Sequence, residues 1–169
     1  STIISQPQHF RIGSKDYIAF KTQNKLYFLD RTGNIRIDPK TASTFSNEAI
    51  YVYNDKFVTT SAEGNLITID TRGNSVSQNL NLSEQHHIDS SSKTLVTLSD
   101  NKLDIKGNSF ELDFGIYTAP KLFYVQDKIY VSVTDLQTQK VYLFDSNAQP
   151  IPNFPVYGNS PITLDNIDS

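Results

Sequence analysis

The sequence predicts an all-β chain of four tandem, four-stranded antiparallel units. Three observations predict it. First, a short apolar-alternating strand occurs four times: Lys25-Leu26-Tyr27-Phe28-Leu29-Asp30, Asn65-Leu66-Ile67-Thr68-Ile69-Asp70, Lys102-Leu103-Asp104-Ile105 and Lys140-Val141-Tyr142-Leu143-Phe144-Asp145. Second, the copies begin 65 − 25 = 40, 102 − 65 = 37 and 140 − 102 = 38 residues apart, a period that marks a repeat architecture. Third, no window sustains helical spacing with a matching cap. The nearest candidate, Thr41 to Glu48, reads as a loop between repeats because of Ser43, Thr44 and Ser46. Four strands per repeat joined by short turns make a blade. The expected fold is therefore a β-propeller, or an arc of one.

Each repeat supplies its strands in the same order. The first strands are expected at His9 to Gly13, Ile50 to Tyr53, His86 to Ile88 and Leu122 to Gln126. Second strands follow at Tyr17 to Lys21, Lys56 to Thr60, Thr94 to Leu98 and Ile129 to Val133, and the marker strands come third. The fourth, outer strands are Asn34 to Asp38, Ser75 to Asn79, Ser109 to Asp113 and Phe154 to Gly158. Asn54-Asp55 and Gln126-Asp127 are turns between first and second strands. Blade limits are about 8–40, 47–80, 84–114 and 120–158, in one propeller-type domain over 1–169, with 159–169 starting a further unit. Phe20, Phe28, Ile69, Leu98, Tyr130 and Phe144 are expected to fill the layers between blades.

The turn after the marker strand repeats too. Asp30-Arg31-Thr32-Gly33-Asn34 matches Asp70-Thr71-Arg72-Gly73-Asn74. Asp opens such a turn and Gly takes its positive φ. The third copy shortens to Ile105-Lys106-Gly107-Asn108. The fourth has no Gly, and Asn147 is expected to take the left-handed conformation.

Composition narrows the function. The net charge is -3, from 18 acidic and 15 basic residues, so no basic footprint for nucleic acid is present. No Cys is present, which excludes disulfides, thiolate nucleophiles and Cys-based zinc sites. No apolar run reaches the length of a membrane span, and no signal peptide is visible. Met is absent, and Asp165 to Ser169 ends without a closing strand. The expectation is a segment of a larger protein, with the compartment open and the extracellular or periplasmic side favoured.

No catalytic or cofactor constellation emerges. There is no Gly-x-Ser-x-Gly elbow and no phosphate-cradling glycine loop. His86 and His87 point to opposite faces of a strand and read as a polar blade edge rather than a chelate. His9 reads as a lone solvent-facing side chain. Asp30, Asp70 and Asp145 are expected to cap their own turns. Lys15, Lys21, Lys25, Arg31 and Arg36 read as a mildly basic, solvated face.

The Leu-Tyr-Phe-Leu-Asp-x-x-Gly-Asn pattern of the first repeat resembles the blades of quinoprotein-like (PQQ-type) propellers. This chain has no Trp to lock blades as those enzymes do, so the resemblance implies a binding or scaffolding blade without the cofactor. Asn153-Phe154-Pro155-Val156-Tyr157 followed by Ser160 to Asp168 resembles an FG-GAP (integrin-type) repeat. That resemblance implies a calcium loop, with Asp165 and Asp168 as candidate ligands, although the spacing here is not the alternate one. The function expected is a non-catalytic propeller module for protein interaction or scaffolding. The partner is another protein or the rest of the parent chain, and open blade faces invite homo-oligomers. The alternatives are a propeller hydrolase or lyase completed by further blades, and a calcium-binding adhesion module.

Overall fold

The structure, a computed structural model, describes residues 2–158. Among these, strands, turns and bends occur and no helix does. The first blade holds β1 (Gln8–Ile12), β2 (Lys15–Lys21), β3 (Leu26–Leu29) and β4 (Ile35–Ile37). The second holds β5 (Tyr51–Tyr53), β6 (Lys56–Thr60), β7 (Asn65–Ile69) and β8 (Ser75–Asn79). β9 (His86–Ser90), β10 (Leu95–Ser99), β11 (Lys102–Ile105) and β12 (Asn108–Glu111) form the third. β13 (Lys121–Val125), β14 (Lys128–Asp135), β15 (Lys140–Asp145) and β16 (Val156–Tyr157) form the fourth. Each is an antiparallel sheet with its strands side by side in chain order. The chain is all-β, with four tandem four-stranded antiparallel blades of the propeller type. It divides into two compact units between Glu84 and Gln85.

Within the first unit, alternation along β2 turns Tyr17, Ala19 and Lys21 inward. Ala19 is paired with Phe28, so small and large residues interlock. Phe57 of β6 then packs against Phe10, Tyr17 and Phe28, at 5.8, 5.3 and 4.5 Å between ring centres. Ile67 and Ile69 complete that core. In the second unit, Val96, Leu98, Leu103 and Ile105 of the third blade share one core with Val131, Val133 and Phe144 of the fourth.

Two expected core residues lie elsewhere. Phe20 and Tyr130 are only half-buried, because the pleat turns their neighbours Ala19, Lys21 and Val131 into the core instead. Phe20 stacks on Tyr27 at 4.8 Å and Tyr130 on Phe123 at 6.0 Å.

The marker turns are built as the Asp and Gly pattern requires. Asp30 Oδ1 accepts the N–H groups of Thr32 and Asn34 at 2.9 and 3.0 Å. Asp70 Oδ1 accepts those of Arg72 and Asn74, and Asp145 Oδ1 those of Asn147 and Gln149. Gly33 and Gly73 carry φ of 87° and 90°. In the fourth turn the left-handed residue is Ala148, φ 60°, and not Asn147. Ala148 holds the place of the glycine, and its N–H bonds to the Asp145 carbonyl as that of Gly33 does to Asp30. The shortened third turn, Lys106-Gly107, has two positive φ values, as a two-residue hairpin needs. Asn54-Asp55 and Gln126-Asp127 do the same.

Linkers between blades are clasped rather than loose. Phe45 N donates to Gln23 O of the turn it leaves, and Phe45 forms a bridge with Ser61 of the next blade. Tyr117 makes the equivalent bridge with Asp135, and Ile3 makes one with Thr22. Leu82 N reaches Gly64 O in the same manner.

That close approach sets a prediction. At Gly33 a Cβ would meet nothing within 4 Å, so Gly33→Ala costs only backbone strain, about 1 kcal/mol. At Gly64, φ 86°, a Cβ would sit 2.3 Å from Leu82 O. Gly64→Ala is expected to cost about 1–3 kcal/mol more than Gly33→Ala in urea unfolding. Equal costs would contradict the clasp.

Candidate functional site

A cleft of about 460 Å³ lies in the second unit beside the linker between the third and fourth blades. Asp100 and Asn101 of the β10–β11 turn line it together with His87 and Leu98. The linker residues Phe114, Gly115, Ile116 and Tyr117 complete the lining.

Both ends of this linker are fixed. Leu112 N donates to Asn101 O at 2.7 Å, and Asn101 Nδ2 donates to Leu112 O at 2.7 Å. Thr118 N donates to Thr134 O at 2.9 Å, and Leu136 N to Ile116 O at 2.7 Å. The Tyr117 hydroxyl donates to the Asp113 carbonyl. Burial pushes the Tyr117 phenol up to about 12, helped by Tyr142 and Asp135. It therefore stays protonated and keeps donating at physiological pH. The Asp135 carboxylate accepts from Gln137 N and Thr138 Oγ1, both at 2.9 Å. Burial raises its carboxyl, but these bonds outweigh that and hold it below the usual range.

The linker and the β14–β15 turn beside it present apolar side chains to water. Phe114 is 95% exposed, and Ile116 and Leu136 are each 57% exposed. Ile116 and Leu136 adjoin through their backbone bond, so the three make one apolar rim. A pinned loop carrying an exposed aromatic beside polar groups can anchor a protein surface. Sequence reasoning missed this linker. Its signal was Phe114-Gly115-Ile116 lying outside every strand pattern.

Two further clefts are more open. One, of about 500 Å³, lies between the first and second blades beside Lys15, Asp55 and Arg72. The other, of about 460 Å³, lies beside Lys106, Asp127, Lys128 and Asp145.

The residues singled out from the sequence fall as follows. Asp165 and Asp168, the calcium candidates, lie outside the described residues, as does the Ser160 to Asp168 stretch. Among the described residues, no group of three or more His, Asp or Glu could hold a metal ion. His86 is buried while His87 is half-buried, in keeping with alternating faces of edge strand β9. His9 is exposed but not alone. Its Nε2 lies 2.8 Å from Asp16 Oδ1, and Arg31 reaches Asp16 Oδ2 at 3.0 Å. The hydrogen bond from His9, aided by Arg31, pulls the Asp16 carboxyl down against a smaller opposing effect of burial.

The basic face needs a larger correction. Lys21 is fully buried, because it takes the inward place in the Tyr17, Ala19, Lys21 alternation. Its Nζ donates to Thr59 Oγ1 at 2.7 Å and lies 5.8 Å from the centre of the Phe45 ring. Burial pulls the ammonium down to about 8, with Glu48 opposing. Lys25 and Arg36 lie over the rings of Tyr27 and Tyr17.

No protein-family model matches the sequence, and no curated protein matches it. Solved structures do match the fold. BamB from Moraxella catarrhalis, a β-propeller, superposes with a TM-score of 0.59 at 16% identity. That match covers 88% of this chain and 52% of BamB. The computationally designed Ika8 protein superposes with a TM-score of 0.56 at 11% identity, over 80% of this chain and 45% of the designed one. The chain thus spans about half the length of each structure. At these identities the likeness establishes propeller-type blades and nothing finer.

Buried Lys21 makes stability depend on pH. The unfolded chain binds its proton below the ordinary value of 10.5, the folded chain only below about 8. Between these values unfolding takes up a proton, so Lys21 lets stability rise as pH rises from 8 to 10.5. Lys21→Met removes this dependence. Urea unfolding should find the variant's advantage over the parent shrinking by up to about 3 kcal/mol between pH 7 and 10.5. A constant difference would place a charged, well-solvated ammonium at Lys21.

Proposed function

We propose that this chain is a non-catalytic propeller module that binds another protein through the rim formed by Phe114, Ile116 and Leu136. One observation carries the reading: a nearly fully exposed Phe114 on a linker fixed at both ends. Leaving a phenylalanine in water forgoes about 1.5–3 kcal/mol of burial, which a partner's pocket recovers. Pre-set backbone on either side keeps the ordering cost of association small. The polar groups at the cleft, Asp100 and Asn101, can then fix the orientation of what binds. In this reading the blades are quinoprotein-like scaffolds without the quinone, and chemistry is absent from their repertoire.

Phe114→Ala and Leu136→Ala should each leave the unfolding free energy within about 0.5 kcal/mol of the parent, because both side chains are exposed. The same variants should lose the partner that the parent chain retains from its source cells, as read by quantitative affinity capture. Retention of that partner by the double variant would overturn the reading. So would turnover of a glycoside or ester substrate that a single substitution abolishes.

A further inference from the structure

Resting on the protein-binding reading of the rim, we propose that the cleft beside Phe114 receives an arginine side chain of the partner protein, its guanidinium held between the Phe114 ring and the Asp100 carboxylate. Charge is distributed unevenly along the chain. Residues 84–114 carry 6 acidic and 3 basic side chains. The remaining residues carry 12 of each sign, 18 − 6 acidic and 15 − 3 basic. The net charge of -3 therefore belongs to the blade that leads into the Phe114 linker. A partner that docks there meets a negative field, which favours a cationic group.

The cleft itself has the same bias. Among its lining residues Asp100 is the one carboxylate, and there is no Lys or Arg. Asp100 is exposed, and among the described residues no hydrogen bond or ion pair engages its carboxylate. Asp113, next to Phe114, is exposed as well. The Asp135 carboxylate lies directly behind Gly115, where a Cβ would come within 2.8 Å of its Cγ. Lys102 follows Asn101 but stands opposite Glu111 in the β11–β12 register, so its charge is matched within the sheet.

The turn does not require the charge of Asp100. Its φ is 51°, and its N–H donates to Gln85 O at 2.9 Å. Asn takes that left-handed conformation as readily as Asp and has the same shape. The tie to the linker is made by the next residue, through Asn101 Nδ2 and Leu112 O. What Asp adds is an anion at the mouth of an apolar cleft. Arginine fits that combination in all its parts. Its guanidinium stacks on an aromatic face and gives a carboxylate two parallel N–H bonds. Its apolar stem lies along Leu98 and Ile116 of the same cleft. Lysine offers a point charge with no plane to stack.

Amide NMR of the isotope-labelled chain, titrated with the blocked peptide Ac-Gly-Leu-Arg-Leu-Gly-amide, tests this. The peptide should shift the amides of Asp100, Asn101, Phe114 and Tyr117 saturably in the millimolar range. Citrulline, the neutral isostere, in place of the arginine should weaken binding at least about tenfold. Asp100→Asn should erase that difference, with melting unchanged because Asn keeps the turn. Phe114→Ala should weaken the arginine peptide as well. A citrulline or glutamate peptide that binds as tightly as the arginine peptide overturns the proposal. So does an Asp100→Asn chain that still prefers arginine, an arginine affinity that Phe114→Ala leaves unchanged, or no binding at roughly 10 mM peptide. The protein-binding reading of the rim fails by a different result, retention of the cellular partner by the Phe114→Ala, Leu136→Ala double variant.

Discussion

Phe57 lies against three rings of the neighbouring sheet, Phe10, Tyr17 and Phe28, and the first unit is organised around that contact. A lone four-stranded sheet with strands of three to seven residues leaves its apolar face open to water. Its apolar face must meet another sheet. Phe57 supplies the volume, and Ala19 leaves room for Phe28 beside it. The second unit solves the same problem with Phe144, which packs at 5.1 Å from Phe110 in the core that also holds Leu98 and Val131. Strand order, turn chemistry and linker clasps all serve to bring these faces together.

The same constraint explains where function can sit. Central strands β2, β6, β10 and β14 put buried residues on the faces where blades stack. Freedom remains at turns, linkers and outer edges. Linkers are held by bridges at Phe45 and Tyr117, so a residue between anchors is displayed without being loose. Phe114 is displayed in that way.

Much of this was legible in the sequence. Period, strand order and the Asp-led turns follow from spacing and from what Asp and Gly do in hairpins. The misses share a cause. Alternation names two faces but does not say which one a neighbouring blade covers. Phe20 and Tyr130 look like core by residue type, yet Lys21, a charged residue, takes the inward place. Asn147 looked like the left-handed residue by propensity, but the turn's hydrogen bonds fix that role one position later, at Ala148. The Phe114 linker escaped because an irregular loop has no period to read. Its exposure depends on anchors at Asn101 and Thr134, which are distant in sequence.

The central claim is that facing blades form one cooperative body through their shared aromatic core. Native-state hydrogen exchange on Phe57→Ala tests it most directly. Removing a buried phenylalanine should cost about 3–5 kcal/mol. Amides of β2 and β3 should lose protection by the same amount as those of β6 and β7, because the two sheets open together. Loss of protection confined to β5 through β8, with the first blade unchanged, would contradict the account.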